Sequence, residues 1–416
     1  MMPRRRFLQA TVVGTAICLP VGEGLAIGTL ALWLIWILMH PQQVDWRRLA
    51  APALRLPGVG LCLFFLAGGL AYGLGPYGLL RSSGLGRFYF YLILPLAWIS
   101  RPLLPDAVWR RAAQAFVGSL CVAALFGIWQ AAADAHLLER LSRSAYGQAS
   151  QAWVPGSQHA VAGGFYYHRL KMAHVLLVGL CGLLPCLLWP SRQWGWRRRA
   201  GHGMLLAGLA VALGLTYAHA AWAAALVSGV FLGWLRWGRR AWARGAVALG
   251  FVSVLLWVLL LGLKSKTRRE GADPLPSASA MTHGRALIWE QAVRIIEEDP
   301  WGIGLGNYPS VATTYYAALR PNMAPRAYPH QVALAAWAEA GPIGVLGTLC
   351  FWFGLGRLYL QAAASPAGSG AMRRRAATGA ACVACFCCLG SGHDVFYHNA
   401  VAMSFCAALA WALPDA

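Results

Sequence analysis

Twelve apolar runs of 12 to 20 residues, separated by connections in which arginine is frequent, recur along this 416-residue chain. Runs of that length approach the ~20 residues that an α-helix needs to cross a bilayer. The expectation is an all-α polytopic membrane protein of about twelve transmembrane helices, at about 7–21, 24–39, 56–75, 88–99, 112–131, 172–189, 203–217, 221–235, 245–263, 342–360, 376–389 and 400–413. Composition points the same way, with 58% hydrophobic and 12% charged residues. Three regions follow: helices one to nine in 1–263 with an outer loop at about 132–171, a large outer loop at 264–341, and the last three helices in 342–416.

A net charge of +21 first suggests a nucleic-acid partner. The basic residues lie between hydrophobic spans and form no soluble basic module, so nucleic acid is excluded. Twenty-one of the 35 Lys and Arg fall in alternate connections: Arg4 to Arg6; Arg47, Arg48, Arg55; Arg101, Arg110, Arg111; Arg192, Arg197 to Arg199; Arg236, Arg239, Arg240, Arg244; Arg357, Arg373 to Arg375. Short basic loops stay inside, which predicts that these connections and both termini are cytoplasmic. The start, RRRFLQATVVGTAIC, is similar to a twin-arginine export signal. Another apolar run follows almost at once, so it is read as an uncleaved first helix. The eleven cysteines fall in apolar runs and read as packing residues. Cys382-x-x-Cys385 has metal-ligand spacing without a partner pair or histidines beside it.

The other 14 cations face outward. Arg81 and Arg87 lie in a glycine-rich turn, GPYGLLRSSGLGR, Arg169 closes the loop before the span at Met172, and Arg285 and Arg326 lie in the long loop. A charge set against the usual bias marks function; interfacial arginines snorkelling to lipid phosphates are the other reading of Arg81 and Arg87. Within the long loop, Thr282 suits a helix N-cap. The following HGRALIWEQAVRIIEED has helical periodicity and an i,i+4 pair, Glu290 with Arg294, and Pro300 stops it. Such a helix lies at the membrane surface or across the mouth of the bundle. Gly302-x-Gly304-x-Gly306 follows no strand and is read as a tight turn.

The stretch RAYPHQVALAAWAEAGPIG, 326–344, carries the best candidate for chemistry. Pro329 opens a helix at its first position, which puts His330 in the first turn, at the positive end of the dipole. That field and nearby Arg326 both disfavour a second cation, and neutral imidazole is the form that accepts a proton. His330 is therefore a candidate general base, against the plainer reading of a histidine capping a membrane-crossing helix. Glu339, nine residues on, falls on the opposite face of that helix. Many outward arginines with few acids near them suit a diphosphate-bearing substrate, because a guanidinium fork pairs two phosphate oxygens at once. No outward carboxylate pair of the DxD kind is present, so neither metal nor other cofactor is expected; the run Glu297 to Asp299 sits at a helix end and reads as its termination.

His330-Gln331, nine further residues, then Gly341 and Gly344 resemble the signature His-[Asn/Ser/Gln]-x9-Gly-x-x-[Gly/Thr/Tyr] of bacterial O-antigen ligases and related O-oligosaccharyltransferases. A second segment, Gly284-Arg285 through Trp289, Ala292, Asp299-Pro300, Gly302, Gly304 and Gly306, is similar to that family's outer-face arginine motif, and Gly164-Phe165 to Leu170 is a looser match. Two positions depart from the pattern: Tyr328 stands where relatives often show a second histidine, and Ala218-His219 where many carry Ser-Arg.

The resemblance implies an inverting GT-C-type glycosyltransferase of the inner membrane. Its donor would be undecaprenyl-diphosphate-linked O-antigen and its acceptor a sugar hydroxyl of lipid A-core, on the periplasmic face. It implies His330 as base, Arg285 as a catalytic cation, and Arg169, Arg81, Arg87 and Arg326 on the diphosphate. Gln331, Glu339, His219 and His393 are candidates for orienting the acceptor; His393 with Asp394 and His398 equally reads as packing on the last outer turn. An O-antigen polymerase or a protein O-oligosaccharyltransferase would use the same donor. A lipid-linked glycan transporter would need ionisable residues or broken helices near the midplane, and little of that is present.

Overall fold

The computed structural model describes residues 2–77, 90–133, 161–166, 169–191, 193–238, 278–319, 328–365, 369–393, 395 and 399–413. Its long elements are all helices: α1 Met2–Cys18, α2 Glu23–Met39, α3 Arg55–Leu74, α4 Ile93–Ser100, α5 Asp106–Ala132, α6 Arg169–Leu188, α7 Trp196–Gly214, α8 His219–Gly238, α9 Ala278–Glu298, α10 Tyr308–Leu319, α11 Val332–Ala364, α12 Gly370–Gly390 and α13 Asn399–Ala412. Among the described residues there is no strand.

Five stretches are long and apolar enough to cross a membrane: Pro52–Leu74, Asp106–Ala132, Arg169–Leu188, His219–Gly238 and Val332–Ala364. Shorter apolar helices run over Glu23–Met39, Phe90–Leu103 and Val401–Ala412. At three other expected positions stand α1, α7 and α12, each with three consecutive arginines in its first turns. The expected span 245–263 lies outside the described residues. The chain is thus an all-helical, multi-pass membrane protein.

The closest packing in the bundle joins α3 to α11, and glycine makes it possible. A Cβ on Gly347 would lie 2.6 Å from both Gly60 O and Phe64 N, one on Gly60 2.4 Å from Phe351 N, and one on Gly354 2.8 Å from Pro57 N. Backbones this close gain dispersion contact where lipid removes any hydrophobic drive between helices.

Polar contacts separate the two ends of the bundle. At one end Trp98 donates to Arg48 O (2.8 Å), Asp106 meets Arg101 and Arg375 (3.6 Å each), and Arg374 donates to Trp189 O (3.0 Å). At the other end Glu23 accepts from Asn399 (2.6 Å) and pairs with Lys171 (3.7 Å), while Arg169 reaches the residues just after α7. Arg48, Arg101, Arg374 and Arg375 thus share one end, and the candidate site lies at the other.

At that second end α9 and α10 build a small core of their own on α11, with Ala292, Ile295, Ile303, Tyr308, Val311, Ala312 and Ala338 buried together. Helix α9 starts at Ala278, four residues before the expected Thr282 cap, so Thr282 is inside the helix. The Glu290–Arg294 pair forms at 2.8 Å.

Because the clash at Gly347 is with backbone, the α3–α11 contact must open to admit a methyl group. Gly347→Ala is expected to cost ~1–3 kcal/mol, read as a lowered melting temperature of the detergent-solubilised protein. Gly58→Ala, with nothing within 4 Å of its Cβ, should melt as the parent does.

Candidate functional site

Helix α11 is broken one-third of the way along. Gly341 has φ 63° and ψ −168°, and Pro342 follows it. Proline has no N–H, so the carbonyl four residues back, Ala338 O, loses its helical donor, and the turn at Gly341 deprives Glu339 O of its own. Both carbonyls are satisfied from outside the helix. Ile303 N donates to Ala338 O at 2.8 Å and Gly304 N to Glu339 O at 3.0 Å. The residues that do this are the turn Gly302-x-Gly304-x-Gly306, whose glycines have φ of 97°, 92° and 78°. The approach leaves no room for side chains: a Cβ on Gly302 would stand 2.8 Å from Glu339 O and Gly341 N, and one on Gly341 2.6 Å from Trp301 O. The two glycine motifs separated by over thirty residues in the sequence are therefore the two faces of one contact.

Glu339 completes that contact. Its side chain is fully buried, and its carboxylate accepts the Tyr308 N–H at 3.2 Å, at the N-terminus of α10 where negative charge is favoured. Asn307 beside it donates to Ile303 O at 2.8 Å, and the Tyr72 hydroxyl donates to Leu305 O, which ties the turn to α3.

The break turns the first third of α11 toward the end of α12. Val332 packs against Gly390 at the end of α12, and the residues just ahead of it lie by the turn that follows α12. His330 does not occupy the first helical turn, as its sequence position suggested. It has φ 53°, in the left-handed region, and the helix begins two residues later with Gln331 as its N-cap. The Gln331 carbonyl takes the first helical bond, from Ala335 N at 3.0 Å, while its side chain makes no cap hydrogen bond. Among the described residues only Tyr217 shares a positive φ without being glycine, also 53°, and its carbonyl accepts from Arg169. Such conformations cost ~1–3 kcal/mol and cluster at functional sites.

From His330 a row of imidazoles leads inward. Its ring centroid is 6.2 Å from that of His393, edge to face, and His393 is 5.5 Å from His174. His393 is 8% exposed and His174 fully buried, five residues into α6 from Arg169. The Arg169 guanidinium donates to Tyr217 O at 2.8 Å and Thr216 O at 3.4 Å. His219, exposed at the start of α8, lies edge-on to Trp222 with 4.8 Å between ring centroids. The structure thus brings His330, Gln331 and His393 together, and places Glu339 one step behind them as a bracket. Arg285 lies in α9, with its side chain outside the described residues, as are Arg81, Arg87 and Arg326 altogether.

The sequence reading missed His174, which it absorbed into an apolar span; an ionisable residue there was the available signal. Among the described residues no group of three or more His, Cys, Asp or Glu is arranged to hold a metal ion. Cys382 and Cys385 are buried packing residues.

Residues 204–349 match a family described as O-antigen ligase. The matched stretch covers 146 of the 416 residues, about a third of the chain. No curated protein matches the chain. The matched region runs from α7 into α11 and so contains Arg285, both glycine motifs and His330, whereas Arg169, His174 and His393 come from elements outside it.

Removing the Glu339 carboxylate leaves a buried amide without that acceptor, a loss of ~1–3 kcal/mol. Glu339→Ala should therefore raise hydrogen exchange across 308–319 above the parent rate, while Glu339→Gln, which keeps an acceptor oxygen, should stay close to it.

Proposed function

We propose that this protein transfers O-antigen from undecaprenyl diphosphate to a sugar hydroxyl of lipid A-core, with inversion, on the periplasmic face of the bacterial inner membrane. The termini would face the cytoplasm, and the enzyme would work as a GT-C-type glycosyltransferase. The observation that carries this reading is the position of His330: a strained backbone conformation just ahead of α11, which both glycine motifs hold, backed by His393.

In the reaction, His330 removes the proton of the acceptor hydroxyl as its oxygen attacks the anomeric carbon from the face opposite the diphosphate. The bond between that carbon and the diphosphate oxygen breaks, and the leaving group departs with the electron pair as an anion. Arg285 stabilises the charge that develops there, with Arg81, Arg87 and Arg326 pairing further phosphate oxygens; one such donor is typically worth ~3 kcal/mol. Arg169 has one arm committed to the carbonyls after α7, so its place is to fix the wall of the site and offer its remaining N–H groups. The α11 N-terminus, which Gln331 does not cap with its side chain, adds favourable backbone dipoles for an anion. Gln331 and His219 orient the acceptor sugar in this reading, and no metal ion or other cofactor takes part.

His330→Ala is expected to lower transfer by ~10²- to 10⁴-fold while expression and membrane insertion stay unchanged. The measurement is lipid A-core capping in a strain carrying only the variant, and normal capping would discard the base assignment. Running the purified parent with one donor against lipid A-core, a pilin and a second lipid-linked glycan identifies the acceptor.

A further inference from the structure

A groove of about 470 Å³ opens on the flank of the bundle, between the last turns of α3, the turn after α9 and the break in α11. Its walls are Leu70, Leu74, Trp301 and Ile343, and it carries two carboxylates, Glu298 and Asp299. Leu74 is 79% exposed and Trp301 67%, in a protein where the large apolar groups that face no neighbour meet lipid. The apolar part alone would accept any hydrocarbon chain.

The carboxylates narrow the choice. The Tyr315 hydroxyl donates to Glu298, and the Tyr77 hydroxyl pairs with Asp299, so each carboxylate is oriented by a phenol. Burial, and then the charge of Glu298 beside it, pushes the Asp299 carboxyl above the usual carboxylate range. Two adjacent negative charges here are relieved by a cation, and the ion pairs formed among the described residues leave these two carboxylates out. On a chain of net charge +21 this doubly acidic rim is the exception. An exposed indole next to paired carboxylates is the chemistry that holds an ammonium group, through ring-face attraction and charge together.

We propose that this groove binds a phospholipid with a primary ammonium head, of the phosphatidylethanolamine type. One acyl chain lies along Leu70, Leu74 and Ile343, and the ammonium sits by Glu298 and Asp299 against Trp301. An anionic head brings a phosphate to the same carboxylates with no compensating cation, so anionic lipids and the diphosphate of a polyprenyl donor are disfavoured. A lipid seated here also covers the turn at Gly302, so its binding stabilises the contact between that turn and the break in α11 by mass action. This assignment does not rest on the transfer reaction proposed above.

The test is native mass spectrometry of the full-length protein in detergent, with dioleoyl-phosphatidylethanolamine, dioleoyl-phosphatidylglycerol and a polyprenyl phosphate at equal concentration. The ethanolamine lipid should be retained roughly fivefold over the glycerol lipid. The double variant Glu298→Gln, Asp299→Asn, which keeps an acceptor for each tyrosine, should lose that preference. Trp301→Leu, which keeps the apolar wall, should reduce it. Equal retention of the two phospholipids, preferential retention of the polyprenyl phosphate, or a preference untouched in both variants overturns the proposal.

Discussion

The organisation of the site depends on two hydrogen bonds that repair a break. Gly341 and Pro342 interrupt α11 and leave the carbonyls of Ala338 and Glu339 without helical donors; Ile303 and Gly304 supply them at 2.8 and 3.0 Å. An interior proline costs a helix ~3 kcal/mol or more, and buried carbonyls left open add to that cost. The break persists because a second segment, made of glycines at positive φ, comes close enough to offset it. What is gained is direction: before the break the helix runs toward the end of α12, and after it the helix packs on α3 backbone to backbone.

That direction places the chemistry. His330 sits just before the helix, in a conformation that a β-carbon disfavours, and two further imidazoles from α6 and the turn after α12 line up behind it. Glu339 belongs to the same stretch of chain but serves the other side of the break, where its carboxylate meets the start of α10. A single segment of thirteen residues, 330–342, thus carries the proposed base, the break and the bracket that fixes the break. The nearby groove with Glu298 and Asp299 borders the same turn from the flank, so lipid and site share one structural element.

Much of this was legible in the sequence, and the reasons for the rest are specific. Apolar length marked where helices lie, and Arg48, Arg101, Arg374 and Arg375, grouped by the spacing of arginines, do share one end of the bundle. The resemblance around His330 and Gly341 agrees with the O-antigen ligase match over 204–349. The conformation of His330 was not legible: Pro329 is compatible with a helix start, and nothing local says that the chain first turns through φ 53°. Nor was the partner of Glu339, because the amide it accepts from belongs to Tyr308, thirty-one residues away. His174 was hidden by its neighbours, since a run as apolar as α6 reads as lipid-facing until the residues packed on it are known. The glycines of 302–306 were read as a turn, correctly, but a turn has no visible address until its partner is found.

The most direct measurement is a double-mutant cycle on the glycan-transfer rate with Gly302→Ala, Gly341→Ala and the two combined, at matched protein levels in membranes. If the two glycines form one contact that sets His330, either methyl group undoes it, and the double variant should be within roughly threefold of the slower single variant, because contacting residues are not additive. Losses that multiply across the pair would mean that the motifs act separately, and that the break in α11 does not place the histidine.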